Sequence, residues 1–160
     1  MPRKVKPVPS GYGSVTPYLH ARGAAKAIAF YKKAFGAKEL MRIGSPGGKI
    51  GHAELQIGSS RIMLADEHPE FGALSPAALG GSPVALHLYL EDVDKVVKRA
   101  VRAGATLDRP VENKFYGDRM GTVTDPFGHI WHVSTHIEDM TARELRRRAA
   151  AMTKPKAGSA

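Results

Sequence analysis

Residues 24–37 read Ala24-Ala-Lys-Ala-Ile-Ala-Phe-Tyr-Lys-Lys-Ala-Phe-Gly36-Ala, and residues 92–105 read Asp92-Val-Asp-Lys-Val-Val-Lys-Arg-Ala-Val-Arg-Ala-Gly104-Ala. Both stretches space their apolar residues three and four positions apart, which is the period of an amphipathic helix. Both end in Gly-Ala, and a glycine in the left-handed conformation commonly closes a helix. The pattern therefore predicts two similar helices, with Asp92 as the N-cap of the second.

The sequence around the two helices repeats as well. One apolar strand is predicted before each helix, and three strands separated by turn residues are predicted after it. The predicted strands are 15–19, 39–43, 51–57 and 61–65 in the first half, and 84–90, 106–107, 122–124 and 129–135 in the second. The chain is thus an internal repeat of one βαβββ unit. Because one such unit cannot bury both faces of its sheet, two units must pair, within the chain or between chains.

The repeat divides the chain into six predicted segments. They are a basic N-terminal arm (1–13), a first βαβββ module (14–66), a linker loop (67–83), a second βαβββ module (84–137), a C-terminal helix (138–152) and a disordered tail (153–160). Thr141-Ala-Arg-Glu144 is a capping-box pattern at the start of the last helix. The linker is longer than a simple connection requires, which indicates a lid or an interface element.

The composition limits the possible functions. The 160 residues are 42% hydrophobic and 24% charged, as in ordinary globular proteins, and include no cysteine. Disulfides, thiolate metal sites and cysteine nucleophiles are therefore excluded. No apolar run is long enough for a membrane span, and the basic N-terminus is not followed by the apolar stretch of a signal peptide, so a cytoplasmic protein is expected.

The formal net charge of +9 suggests nucleic-acid binding until it is located along the chain. Three basic residues fall within 1–6 and six within 143–160, whereas residues 7–142 are close to neutral. The charge therefore belongs to solvated ends. We do not expect nucleic acid or a membrane as a partner.

Four short motifs carry a resemblance to a known family. They are the helix end Ala29-Phe-Tyr-Lys-Lys-Ala-Phe-Gly36, the turn Asp125-Pro-Phe-Gly-His-Ile-Trp131, and the pair Thr16-Pro-Tyr-Leu19 and Gly117-Asp-Arg-Met-Gly121. Over about residues 14–140 the chain resembles the vicinal oxygen chelate superfamily of glyoxalase I, bleomycin-resistance proteins and extradiol dioxygenases, and within it the PhnB-like branch. The resemblance implies an α+β fold of two βαβββ modules that form a curved-sheet cup around a ligand cavity. It also implies a homodimer, with modules exchanged between chains in some members.

Metal-binding members of that superfamily use four His or Glu positions, one near the first strand and one on the last strand of each module. Counting along this chain puts those positions at Thr16, Met63, Ala85 and His132. Three of the four are poor ligands for a borderline divalent ion. The match therefore predicts no metal of that kind and no other cofactor.

The candidate site residues follow from strand alternation. His52, Glu54 and Gln56 share one face of their strand, and the opposite face is apolar and should pack on the helix. In the second module, His87, Tyr89 and His132 take the corresponding cavity-facing positions. Arg119 could clamp an anionic group of a ligand or pair with Asp118. The predicted cavity residues are therefore His52, Glu54, Gln56, His87, Tyr89, Arg119 and His132.

Two interpretations of this site remain open from the sequence. The first is a metal-independent protein that binds a small molecule through a polar cavity. In the second, His52, Glu54, His87 and His132 converge on a divalent ion in a non-standard arrangement, and the protein is an isomerase or lyase. No nucleophile-elbow, P-loop or dinucleotide motif is present, so any chemistry would be acid–base work by His87, His132 or Glu54.

Overall fold

The structure is a computed structural model, and it describes residues 5–153. The first module consists of β1 (Tyr18–Ala21), α1 (Ala24–Phe35), β2 (Lys38–Ser45), β3 (Lys49–Ile57) and β4 (Ser60–Asp66). A short helix, α2 (Pro76–Leu79), lies in the linker. The second module consists of β5 (Ala85–Tyr89), α3 (Val93–Arg102), β6 (Thr106–Asn113), β7 (Asp118–Thr124) and β8 (Ile130–His136), and α4 (Ala142–Thr153) follows it. Of the predicted disordered tail, Thr153 ends α4 and the rest lies outside the described residues.

Each module forms one four-stranded sheet, and the two sheets have the same topology. The strand orders are β1-β4-β3-β2 in sheet 1 and β5-β8-β7-β6 in sheet 2. The first and last strands of each module pair in parallel, with Tyr18 opposite Met63 and His87 opposite His132. The remaining pairs are antiparallel. The predicted α+β fold of two βαβββ modules with a short C-terminal helix is confirmed.

Several strand boundaries differ from the prediction, and two of the strands concerned, β1 and β6, have a proline at or near the point of difference. The first strand begins at Tyr18 rather than at residue 15, because Pro17 has no N–H for the ladder and contributes only its carbonyl, which accepts from the Met63 N–H at 2.9 Å. β6 continues well past residue 107 even though it contains Pro110. It lies at the edge of its sheet, where a missing N–H is tolerated.

The end of α1 and the start of α3 agree with the sequence, whereas the start of α1 does not rest on a local cap. Gly36 follows α1 with φ 69°, and its N–H bonds to the Lys32 carbonyl at 3.2 Å. Asp92 caps α3 through the Lys95 N–H, at 3.2 Å. The start of α1 is capped from a distance instead, by the Asp66 carboxylate, which accepts from the N–H of Ala24 at 2.9 Å.

One hydrophobic core joins the two modules. Its members come from α1, α3 and the sheet faces that these helices cover, and include Ile28, Tyr31, Phe35, Val93, Val97, Leu55, Leu64, Val123, Trp131 and Val133. The Trp131 ring lies 4.8 Å from that of Phe35, so sheet 2 also packs against the helix of the first module. We call the sheet faces that point away from α1 and α3 the open faces.

Within residues 5–153, no helix is both long and apolar enough to cross a membrane.

Candidate ligand site on the open sheet faces

The open face of sheet 1 carries the predicted polar residues of β3. Burial alternates along β3. Ala53, Leu55 and Ile57 are buried on the helix side of the sheet, and His52, Glu54 and Gln56 are partly exposed on the open face. The predicted alternation is therefore observed. Gln56 turns to the end of its strand, where its amide donates to the Gly58 carbonyl at 3.1 Å.

His52 links a tyrosine and a carboxylate on this face. Its Nε2 lies 3.3 Å from Glu54 Oε1, and its Nδ1 lies 2.9 Å from the Tyr18 hydroxyl. Because an ionised carboxylate only accepts, His52 donates to Glu54 through Nε2. Glu54 also accepts a hydrogen bond from the hydroxyl of Tyr12, in the N-terminal arm. This bond lowers the pKa of Glu54, and His52 contributes in the same direction against the opposing effect of burial.

The open face of sheet 2 carries two histidines on adjacent strands. Their ring centroids lie 6.0 Å apart. His87 Nε2 contacts Ser134 Oγ at 2.9 Å, and His132 Nδ1 contacts Thr122 Oγ1 at 2.9 Å. Burial and the neighbouring His87 lower the pKa of His132. His132 is therefore neutral at physiological pH and can accept a proton or a hydrogen bond.

Tyr89 extends this face toward the end of β5. Its ring stacks on His87 at 4.6 Å between centroids, and its hydroxyl donates to Asp118 Oδ2 at 2.7 Å. Asp118 is buried and also contacts His136 Nδ1 at 2.8 Å. The hydrogen bond to Asp118 and burial raise the pKa of Tyr89 to about 12, so the phenol keeps its proton.

Arg119 does not belong to the open face, which corrects the prediction. Its guanidinium forms a two-point pair with Asp94 of α3, at 2.7 and 2.8 Å, and also donates to Asn113 at 3.0 Å. Arg119 alternates with Asp118 along β7, so it points to the helix side of the sheet. The salt bridge considered from the sequence exists, but its partner is Asp94 instead of Asp118.

The strand register also corrects the positions that were counted for a metal. Since β1 begins at Tyr18, the parallel register places Tyr18 opposite Met63 and His87 opposite His132. The counted positions Thr16 and Ala85 are each two residues too early. Tyr18 and Met63 are still poor ligands for a divalent ion, so the residues present do not fit the four-ligand site of the superfamily.

His52, Glu54, His87 and His132 do not converge on one point. The structure holds them as two pairs, one on each sheet. Among residues 5–153, no three or more His, Asp or Glu side chains lie close enough together to hold a metal ion.

A cavity of about 540 Å³ lies at the edge of sheet 2, along the edge strand β5. Residues from both faces of β5, Leu86 to Tyr89, form one wall, and the start of β4 with Ser60 and Arg61 forms another. The N-terminal arm around Gly11 and Gly13 forms a third wall. This volume lies within the range that small-molecule sites occupy.

Several residues of this region are not among those predicted from the sequence, namely Tyr12, Tyr18, Asp118, Thr122 and Ser134. Tyr18, Thr122 and Ser134 could have been found from the strand register, because each lies beside or opposite a predicted residue on the same face. Tyr12 carries no local signal, since it reaches Glu54 across 42 positions of sequence.

Comparisons of this chain with known proteins point to one family. The model described as the Glyoxalase/Bleomycin resistance protein/Dioxygenase superfamily matches residues 18–133. The uncharacterised protein Rv0887c of Mycobacterium tuberculosis is 41% identical over 136 residues, which cover 83% of this chain and 80% of that protein. The X-ray structure of the Arabidopsis thaliana gene product At5g48480 shares 30% identity with a TM-score of 0.59, covering 77% of this chain and 98% of that one. A PhnB protein from Bacillus cereus, at 17% identity and a TM-score of 0.59 over 77% and 99% of the two chains, shares the fold.

Proposed function

Because the chain belongs to the Glyoxalase/Bleomycin resistance protein/Dioxygenase superfamily, we propose that it binds a small organic molecule in the cavity at the edge of sheet 2, without the four-ligand metal site. The observation that carries this proposal is the cavity of about 540 Å³ beside His87 and Tyr89. Its walls combine apolar side chains with a few fixed polar groups, which is the usual make-up of a small-molecule site.

The polar groups beside this cavity are held in defined states. Tyr89 keeps its proton and His132 is neutral. Both side chains can therefore form hydrogen bonds with a ligand, and neither carries a charge. Asp118 and Ser134 hold the side chains of Tyr89 and His87 in place. We therefore expect a ligand with an apolar body and a small number of polar groups. The cytoplasmic location expected from the sequence stays a prediction.

Mass spectrometry of small molecules retained by the purified chain tests this proposal. A Ser60→Trp variant places a large ring at the wall of the cavity, and Ser82→Trp is the matched control because Ser82 lines a different cavity near α2. We expect the wild type and Ser82→Trp to retain the same molecules from a cell extract and Ser60→Trp to lose them. Retention by all three, or by none, would contradict a ligand at this place.

An isomerase or lyase of the same superfamily is the second candidate. The pair of imidazoles, His87 and His132, favours it, since neutral His132 could take a proton from a bound carbon acid. Calorimetry with Mn²⁺, Ni²⁺ and Zn²⁺ on stripped protein, with His132→Ala as the control, separates the two candidates. Tight one-to-one binding that His132→Ala abolishes would overturn the metal-independent proposal.

A further inference from the structure

The N-terminal arm docks onto the open face of sheet 1 through a tight turn. Residues Pro9 to Tyr12 form this turn, in which the Tyr12 N–H bonds to the Pro9 carbonyl at 3.1 Å. Gly11 adopts φ +82°, which the third position of a type II turn requires. A Cβ at Gly11 would also crowd the guanidinium end of Arg61, but that flexible side chain can move aside, so the positive φ is the reason for glycine here.

The turn presents one side chain, Tyr12, to the sheet. Its hydroxyl donates to the Glu54 carboxylate, and its ring lies under the Arg61 guanidinium at 4.7 Å from the centroid. Arg61 also donates from Nη1 to the Ser10 carbonyl at 3.1 Å. Glu54 is in turn oriented by His52, which Tyr18 contacts.

These contacts match the requirements of a phenol. Glu54 is an acceptor for the hydroxyl, and its ionised form is favoured by the bond that lowers its pKa. Arg61 supplies a cation over the ring face. Burial, with the hydrogen bond to Glu54, raises the pKa of Tyr12, so the hydroxyl remains a donor. A carboxylate acceptor and a stacked guanidinium would hold a free hydroxylated ring by the same two interactions.

We propose that the open face of sheet 1 binds a hydroxylated aromatic ring, and that Tyr12 occupies this place as an intramolecular competitor. The inference rests on the proposed function, for which it names the ligand class. Gly11 and Gly13 of the arm also form a wall of the cavity beside His87. Displacement of the arm would therefore remove that wall, so the ring site and the cavity would open together.

Titration calorimetry on the full chain with 4-methylphenol, which is the tyrosine side chain itself, tests the competition. Tyr12→Ala removes the competitor, so we expect 4-methylphenol to bind this variant about tenfold more tightly than wild type, the scale of one charge-assisted hydrogen bond. The methyl ether 4-methylanisole cannot donate and should show no such gain. Tyr116→Ala is the matched control, since Tyr116 contacts Met120 in another cleft.

Two further variants separate recognition from simple cavity filling. Gly11→Val keeps Tyr12 but strains the turn, so it should release the arm and reproduce the gain in affinity. Glu54→Gln added to Tyr12→Ala should remove the gain, because the carboxylate acceptor is lost. Circular dichroism of each variant verifies that the fold is retained.

Equal affinity of wild type and Tyr12→Ala for 4-methylphenol, or equal affinity of Tyr12→Ala for the phenol and its methyl ether, would overturn the inference. The proposed function fails separately, through the Ser60→Trp comparison. If metabolites are retained but the affinity for 4-methylphenol is the same with and without Tyr12, only the proposed ring site is wrong. If the affinity for 4-methylphenol changes with the Tyr12 and Glu54 variants as expected while no metabolite is retained, the ring site is supported and the cavity proposal is wrong.

Discussion

At the scale of single residues, Asp125 connects the two modules through one buried carboxylate. It accepts hydrogen bonds from the Tyr31 hydroxyl of α1 at 2.6 Å and from Trp131 Nε1 of β8 at 2.9 Å. It also accepts from the backbone N–H groups of Phe127 at 2.9 Å and His129 at 3.0 Å, which fixes the turn before β8. The same residue thus orders a local turn and ties the first helix to the second sheet.

Replacement of Asp125 by alanine should destabilise the protein by about 3 kcal/mol, because it leaves buried donors on Tyr31 and Trp131 without an acceptor. Urea unfolding monitored by Trp131 fluorescence measures the change. Asp139→Ala is the control, because its side chain is fully exposed. Equal stability of the two variants would contradict the role assigned to Asp125.

Two histidines of β8, His132 and His136, should have pKa values on opposite sides of the ordinary imidazole value. Hydrogen bonds to Asp118 and then Asp139 raise the pKa of His136, whereas burial and then His87 lower that of His132. Imidazole NMR signals should show His132 losing its proton at the lower pH. A reversed order would contradict the two environments.

The raised pKa of His136 also predicts the sign of a stability effect. Protonated His136 stabilises the fold fully at pH values below the pKa of histidine in the unfolded chain, about 6.5. This contribution is lost as the pH rises through the raised pKa of His136 in the folded protein. Urea midpoints measured across this range should fall with pH less steeply in His136→Gln than in wild type.

At the scale of elements, α4 is attached to the body differently from α1 and α3. None of its described residues is buried. Arg148 holds it, through two hydrogen bonds to Glu138 at 2.7 and 2.9 Å and one to the Phe115 carbonyl at 3.3 Å. Helices that bury an apolar face unfold with the core, whereas one held by exposed ion pairs can open alone.

Arg148→Ala should therefore release α4 without unfolding the body. Hydrogen exchange should become faster for the amides of residues 142–152, while the midpoint of global urea unfolding stays unchanged. Arg147→Ala is the control, because Arg147 bonds only to Glu144 of the same helix among the described contacts. A large loss of global stability in Arg148→Ala would show that α4 is part of the cooperative unit.

At the scale of the whole molecule, the two open faces leave apolar surface exposed beside their polar residues. Tyr89 is 56% exposed, Ile43 52% and Tyr18 44%. Ile43 lies opposite His52 in the β2–β3 register, so this surface is continuous with the candidate site. Such patches are common where a partner or ligand covers a sheet. A second copy of the chain, as expected from the sequence, would cover them.

Ile43→Glu should convert the homodimer expected from the sequence into a monomer, because it places a charge in the apolar surface of the open face, on the edge strand β2. Sedimentation velocity of wild type and variant measures the oligomeric state. Val101→Glu is the control, because Val101 is similarly exposed but lies on α3, away from the open faces. A wild type that sediments as a monomer would contradict the expected homodimer.

The sequence by itself determined the repeat, the two helices with their glycine ends, and the faces of β3 and β5, because helix and strand periodicity depends only on neighbouring residues. Tertiary structure decided the pairing of Arg119 with Asp94 and the separation of His52 and Glu54 from His87 and His132. It also placed Tyr12 on Glu54. Each of these depends on contacts between residues far apart in the chain, which are set by strand pairing and by the packing of α1 against α3. No local pattern in the sequence encodes such contacts.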